Sequence, residues 1–441
     1  MKRTCWLGLC GVLLLSDCAS RLINMDNSDQ EKMNRTKIDF SKTKEQVTEY
    51  IRKYIPNVTE EQLLQWENEK VLECMIIDGK KMYFYNAAPN LFRINKEAIA
   101  IKLAKDGLEQ DGKDKVNATH VPQVISEAKA KNEIIVHPVR MRVKYTLTVK
   151  PNAVPEGEII RCWLPFPRTD QPRQTDVKLL NTSESQYNIS LVEYKHSALY
   201  MEKKAEKEKP TVFSAEYEYT SSAEWHQLKP EDIKPYKKET SLYKEYTSER
   251  EKHIRFTPRI KELAQQIVGS EQNPLLKVRK IYEWINQFPW ASAREYSTLE
   301  NIPEYVLDNK HGDCGQVSLL FITLARYCGI PAKFQSGFMM HPGGTNMHDW
   351  AQVYFEGTGW VPVDQSFGLF PSENKDEKYF FTAGIDSYRM IVNDDYSCPL
   401  YPKKKYPRSE TVDFQRGEVE WRKGNLYFNQ WKWNLQVEYL K

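Results

Sequence analysis

His311-Gly-Asp-Cys-Gly-Gln-Val317 opens a run that continues to Leu324-Ala-Arg-Tyr-Cys-Gly-Ile-Pro331. Val317, Leu320, Phe321, Leu324 and Cys328 recur at helical spacing, so the run reads as a buried helix. Asp313 is placed to cap it, with Gln316 completing an Asp-x-x-Gln capping box; Gly329 ends the helix and Pro331 prevents its resumption. Cys314 then falls in the first helical turn. Unpaired backbone N–H groups and the positive end of the helix dipole there favour thiolate over thiol and could stabilise an oxyanion. Gly312 and Gly315 suggest open surroundings that a substrate backbone could approach. Cys328 reads instead as a small buried hydrophobe. It cannot pair with Cys314, because fourteen helical residues at ~1.5 Å each separate them by about 21 Å.

Working outward, Ala332–Phe338 reads as a strand and 339–347, which contains Pro342-Gly343-Gly344, as a loop. His348–Phe355 and Trp360–Asp364 are the next strands. A hairpin symmetric about Glu356 would set His348 opposite Asp364 on one face, with Asp349 on the other. Cysteine, histidine and aspartate in that order form the parts list of a nucleophile, its base and the group that orients the base. His341, in the expected loop, is assigned a surface or capping role. Trp290, Tyr296 and Gln316 are candidate second oxyanion donors, and Trp290 taken singly reads as core packing.

With those residues in view, His311–Gln316, Leu324–Pro331, His348-Asp-Trp-Ala-Gln-Val-Tyr354 and Gly359-Trp-Val-Pro-Val-Asp364 together resemble the transglutaminase-like superfamily, over about residues 255–370. The resemblance implies a papain-like α+β core with Cys314 as nucleophile, His348 as base and Asp364 as orienter. Strands near Met141–Phe166, with Val154-Pro-Glu-Gly157 and Trp163-Leu-Pro-Phe166, resemble the β-domain that precedes this core in bacterial members. The family includes peptidases and amidases, cross-linking transglutaminases and peptide N-glycanases. A hydrolase of peptide or amide bonds is the leading expectation, and no cofactor or metal is called for.

The rest of the 441 residues supplies context. Lys2 and Arg3 precede the apolar run Cys5–Leu15, which reads as an export signal over 1–20. Leu15-Ser16-Asp17-Cys18 resembles a lipobox that would lipidate Cys18 and anchor the chain to a membrane; cleavage near Ala19 or Ser20 is the alternative. Localisation is accordingly the cell envelope, lipid-anchored, or else periplasmic or secreted. No other segment is long and apolar enough to cross a membrane. Five cysteines follow Cys18, an odd number that suits a free thiol, and there is no Cys-x-x-Cys pair to hold zinc.

Residues 21–135 read as an N-terminal helical and mixed region ending in a charged linker from 105. Capping boxes are expected at Thr43 with Gln46 and at Thr59 with Gln62, and a hairpin turning at Asp78-Gly79. Alternation at Met141–Val149 and Phe213–Tyr219 predicts a β-sandwich over 136–230. The catalytic core spans 240–385, with helices opened by Thr257-Pro258 and Asn273-Pro274. A β-rich extension covers 386–441. Net charge is +3, from 63 basic and 60 acidic residues, with no basic stripe, so the expected partner is a peptide or protein substrate and not nucleic acid. The aromatics Trp421, Tyr427, Phe428, Trp431 and Trp433 fit a hairpin packed on the core, or, in a non-catalytic scaffold, a glycan-binding surface.

Overall fold

The computed structural model describes residues 29–107 and 111–441. The expected export signal and Cys18 lie outside these residues. The described residues divide into two compact units, those up to 102 with 297–299, and those from 103 to 296 with 300–441.

The first unit has α1 (29–39), α2 (Lys44–Arg52), α3 (Glu60–Asn68), the hairpin β1 (Cys74–Ile77) and β2 (Lys80–Tyr83), and α4 (Ala87–Ile94); the division between units falls within α5 (Lys96–Asp106). Both expected capping boxes form, at Thr43 with Gln46 and at Thr59 with Gln62. Asp78 and Gly79 turn the hairpin with positive φ of 48° and 78°, the conformation that makes Asp-Gly a favoured two-residue turn. Phe40, Ile51, Leu72, Phe84 and Leu91 lie at the centre of its core.

The second unit opens with α6 (Gly112–Lys131), a helix where a linker was expected. Its buried Val121, Val124, Ile125 and Ala128 follow helical spacing. Gly107, Gly112 and Pro122 mask that stripe in the sequence. Asp111 caps the helix by accepting from the Lys113 N–H at 3.2 Å.

Six strands follow: β3 (Ile135–Val149), β4 (Ile159–Pro165), β5 (Gln174–Thr182), β6 (Asn188–Ile189), β7 (Ala198–Lys204) and β8 (Thr211–Trp225). Their alternation puts Met141, Val143, Tyr145, Leu147, Phe213 and Tyr217 into one core with Leu164, Leu199 and Met201. Each such side chain contributes roughly 1.5–3 kcal/mol when fully buried.

The helices α7 (Ser241–Tyr246), α8 (Pro258–Val268), α9 (Pro274–Ile285), α10 (Ile302–Asn309) and α11 (Cys314–Tyr327) come next. Thr257 and Asn273 cap α8 and α9, each with proline at the helix start. Then come β9 (Ala332–His341), β10 (Gly344–Phe355), β11 (Gly359–Val363), α12 (Lys375–Lys378), α13 (Phe380–Ala383), β12 (Gly384–Ile385), β13 (Arg389–Asn393), β14 (Glu418–Trp421), β15 (Gly424–Leu426) and β16 (Trp431–Leu440).

The last strands do not form a separate extension. An antiparallel sheet of order β11-β10-β9-β13 receives β13. A second, β12-β8-β3-β16 with β5 also on β8, receives β12 and β16, while a third, β15-β14-β4-β7-β6, receives β14 and β15. The stretch 386–441 thus supplies strands to all three sheets. The 339–347 loop is also corrected: β9 and β10 continue to His341 and Gly344, which pair across a turn of two residues, Pro342-Gly343.

Candidate active site

The helix α11 is capped as its sequence demands. Asp313 Oδ1 accepts from the Gln316 N–H at 3.0 Å, and Gln316 Oε1 accepts from the Asp313 N–H at 3.2 Å. From Gly315 to Arg326 every residue of the helix is buried. The half-buried Cys314 therefore stands at the head of a helix that packing holds rigid.

The sulfur's surroundings differ from expectation. Its S–H donates to Asp349 Oδ2 at 3.2 Å, and no hydrogen bond joins it to His348. The Asp349 backbone N–H also bonds the sulfur. The thiol thus rests against the β10 backbone one residue along from His348. Burial, then the carboxyls of Asp349 and Asp313, push the thiol well above its ordinary range. The dipole argument that favoured thiolate is overridden here by two neighbouring acids and the loss of water.

Those acids are themselves raised. Burial holds Asp313 up at about 6, although the Tyr296 hydroxyl donates to it at 2.7 Å. Burial and Asp313 push Asp349 well above the carboxylate range, and Gln415 Nε2 donates to its second oxygen at 2.8 Å. Asp413, beside them, is raised by burial and then by Glu410 and Asp349. The flanking glycine is needed for packing inside the protein. A Cβ on Gly315 would lie 2.3 Å from Tyr296 Oη and 2.8 Å from Asp349 Oδ2.

The histidine and second aspartate do meet. His348 Nε2 lies 2.7 Å from Asp364 Oδ2, with both side chains buried. The β10–β11 register runs from Ala351 opposite Val363 to Phe355 opposite Gly359, so the hairpin is symmetric about Gly357 rather than Glu356. Asp364 consequently sits diagonally from His348, and parity still keeps both on one face. Asp349 points to the other face, as alternation requires. Burial lowers the affinity of His348 for a proton, an effect that Asp364 opposes only in part. Asp364 itself lies below its ordinary range: burial raises it, but His348 and then Arg389 lower it further.

Three more expectations change. His341 is fully buried, with Nε2 3.1 Å from Asp386, because it ends a strand rather than occupying a loop. Trp290 is 46% exposed and is no core residue; it bridges in parallel to Gly312, just before the helix that Cys314 opens. Of the other oxyanion candidates, Tyr296 is engaged with Asp313, whereas Gln316 Nε2 is buried with no hydrogen-bond partner among the described residues. Sequence reading missed Asp349 as the thiol's partner and Arg389 as the partner of Asp364. For Arg389 a signal existed: a lone charge in Tyr388-Arg-Met-Ile-Val392, an otherwise apolar strand.

Comparison with known proteins adds the following. Residues 261–365 match the family model described as the transglutaminase-like superfamily. An uncharacterized protein of Haemophilus influenzae is 30% identical over 141 residues, covering 26% of this chain and 37% of that protein. A protein-glutamine gamma-glutamyltransferase of Pseudomonas aeruginosa is 21% identical over 143 residues, covering 30% of this chain and 21% of that protein. The chain therefore spans well under half the length of these relatives. A crystal structure described as "a Putative Cysteine Protease from Cytophaga hutchinsonii" aligns over 70% of this chain and 92% of that chain, with a TM-score of 0.46 and 11% identity.

Proposed function

Because residues 261–365 match the family model of the transglutaminase-like superfamily, we propose that this protein is a cysteine-nucleophile acyl-transfer enzyme of papain-like architecture, acting as a hydrolase on peptide or amide bonds. The observation that carries the proposal is the seat of the Cys314 sulfur against the β10 backbone at Asp349, next to a histidine held by a buried aspartate. Asp364 occupies His348 Nε2, which leaves Nδ1 as the acceptor. The thiol leaves Asp349 as substrate enters and gives its proton to Nδ1. The sulfur attacks the amide carbonyl, the imidazolium protonates the departing amine, and water releases the acyl group through the same base. An amine in place of water would make the reaction a transfer, the activity named for the Pseudomonas relative. An exported location in the cell envelope, and a lipid anchor at Cys18, belong to this proposal.

Incubation with an activated amide or a thiol-reactive acyl probe, followed by mass spectrometry, tests it. Wild-type protein should carry the adduct on Cys314, and Cys314→Ala none. Equal labelling of the variant at the same site would end the proposal.

The Cys314–Asp349 hydrogen bond favours a second assignment, with Asp349 as the proton acceptor. Acylation rates separate the two. With His348 as base, His348→Ala loses acylation and Asp349→Asn retains it. The reverse pattern would transfer the role to Asp349.

A further inference from the structure

Arg389 stands on β13, outside the 261–365 match, and is fully buried. Its Nη1 lies 2.9 Å from Asp364 Oδ2, the same oxygen that meets His348. Its Nε and Nη2 donate to Asp386 Oδ2 at 3.1 and 2.6 Å. Asp386 is fixed in turn by the Tyr388 N–H at 2.9 Å and by His341 at 3.1 Å. The guanidinium packs over Phe367, 4.1 Å from the ring centroid, and over Trp350 at 5.6 Å. The His348 ring lies between the same two aromatics, at 4.9 and 5.9 Å between centroids.

We infer that Arg389, anchored by Asp386, is a positioning residue that clamps the Asp364 carboxylate and thereby fixes the orientation and tautomer of His348. The inference rests on the proposed role of His348 as base. A buried carboxylate with one imidazole partner could rotate. One whose oxygen also lies in an ion pair with a single guanidinium nitrogen, Nη1, while the other two nitrogens lock that guanidinium onto a second carboxylate, is held from two sides. The two carboxylates and one guanidinium carry one net negative charge, which an imidazolium at His348 would balance. The charged and titratable groups around the His348 ring are Asp364, Arg389, Asp386 and His341, with Arg173 over Trp350 and Lys113 over Phe367. Asp349 faces away on the same strand.

Removing Arg389 alone would strand two buried carboxylates. The test therefore uses Arg389→Lys, which keeps a cation but loses the planar fork, and the charge-balanced pair Arg389→Met with Asp386→Asn. Nitrogen-15 NMR on histidine-labelled protein, with His348 assigned through His348→Gln, reads the tautomer and the titration midpoint without reference to turnover. The expected result is a proton on Nε2 in wild type. The paired variant should titrate slightly higher, because Arg389 holds the His348 midpoint down more than Asp386 holds it up. Arg389→Lys should keep the midpoint but lose up to roughly a hundredfold in acylation kcat at unchanged KM, through misplacement of the base.

Folded variants with wild-type midpoint and acylation rate would overturn the inference. So would a proton on Nδ1, or failure of both variants to fold, which would make Arg389 a requirement of the fold. Failure of the enzymatic reading looks different: no wild-type adduct on Cys314, while the His348 midpoint still responds to Arg389.

Discussion

At the scale of single residues, the thiol and its two acids govern what can be measured first. Cys314 lies well above its ordinary range because burial and the carboxyls of Asp349 and Asp313 disfavour the thiolate. Alkylation by iodoacetamide should therefore be slow at neutral pH and accelerate only in the alkaline range. Asp349→Asn removes a carboxyl that opposes the thiolate, so its alkylation curve should shift to lower pH. An unchanged curve would mean that Asp349 does not set the thiol's ionisation. The sequence singled out Cys314, His348 and Asp364 because each sits in a short block with its own spacing, and of these the structure joins His348 to Asp364. It also placed Asp349 on the far face of the strand, which is where it lies. Alternation says nothing of what waits on that face, so the meeting with Cys314 stayed hidden, as did the approach of Arg389 from another strand.

At the scale of elements, local chemistry was legible and masked helices were not. Capping boxes at Thr43, Thr59 and Asp313 all depend on atoms within three residues of one another, and all three form. The helix α6 was lost to Pro122 and two glycines, and the β9–β10 turn to a glycine pair that in fact continues into a strand. The cap of α11 carries a prediction with a definite pH sign. The Asp313 carboxyl is raised from 3.8 to about 6 in the folded protein. A raised carboxyl favours the folded state while protonated, and that advantage declines as pH rises through this window. Asp313→Ala removes the cap, at a cost of about 1–2 kcal/mol, together with the titration. Urea denaturation should show the larger loss near pH 4 and a smaller one at pH 7. A loss that grew with pH would contradict the assignment of a raised carboxyl.

At the scale of the whole molecule, the C-terminal stretch closes the second unit. A sequence records no long-range strand pairing, so 386–441 read as an addition, although β14 pairs with β4 and β16 with β3, more than two hundred residues earlier. The closure centres on Glu418 of β14. Its carboxylate accepts from Lys404 at 2.6 Å, from the Ser409 N–H at 2.7 Å and from Arg408. One fully buried carboxylate thus ties the 404–410 segment to the sandwich. Burial alone would raise Glu418, but Arg408 and Lys404 bring it down from 4.5 to about 2. A depressed carboxyl stabilises the fold above its unfolded value, and the contribution is lost as pH falls through the folded one. The shift corresponds to on the order of 3 kcal/mol, in line with the roughly 3–5 kcal/mol expected for breaking a buried pair. Glu418→Gln should therefore lower unfolding free energy at pH 7 by about that amount. Its stability should also vary less than that of wild type between pH 4.5 and about 2. Chemical denaturation across that interval decides the point: parallel acid limbs in the two proteins would mean that the charge on Glu418 does not hold the C-terminal strands in place.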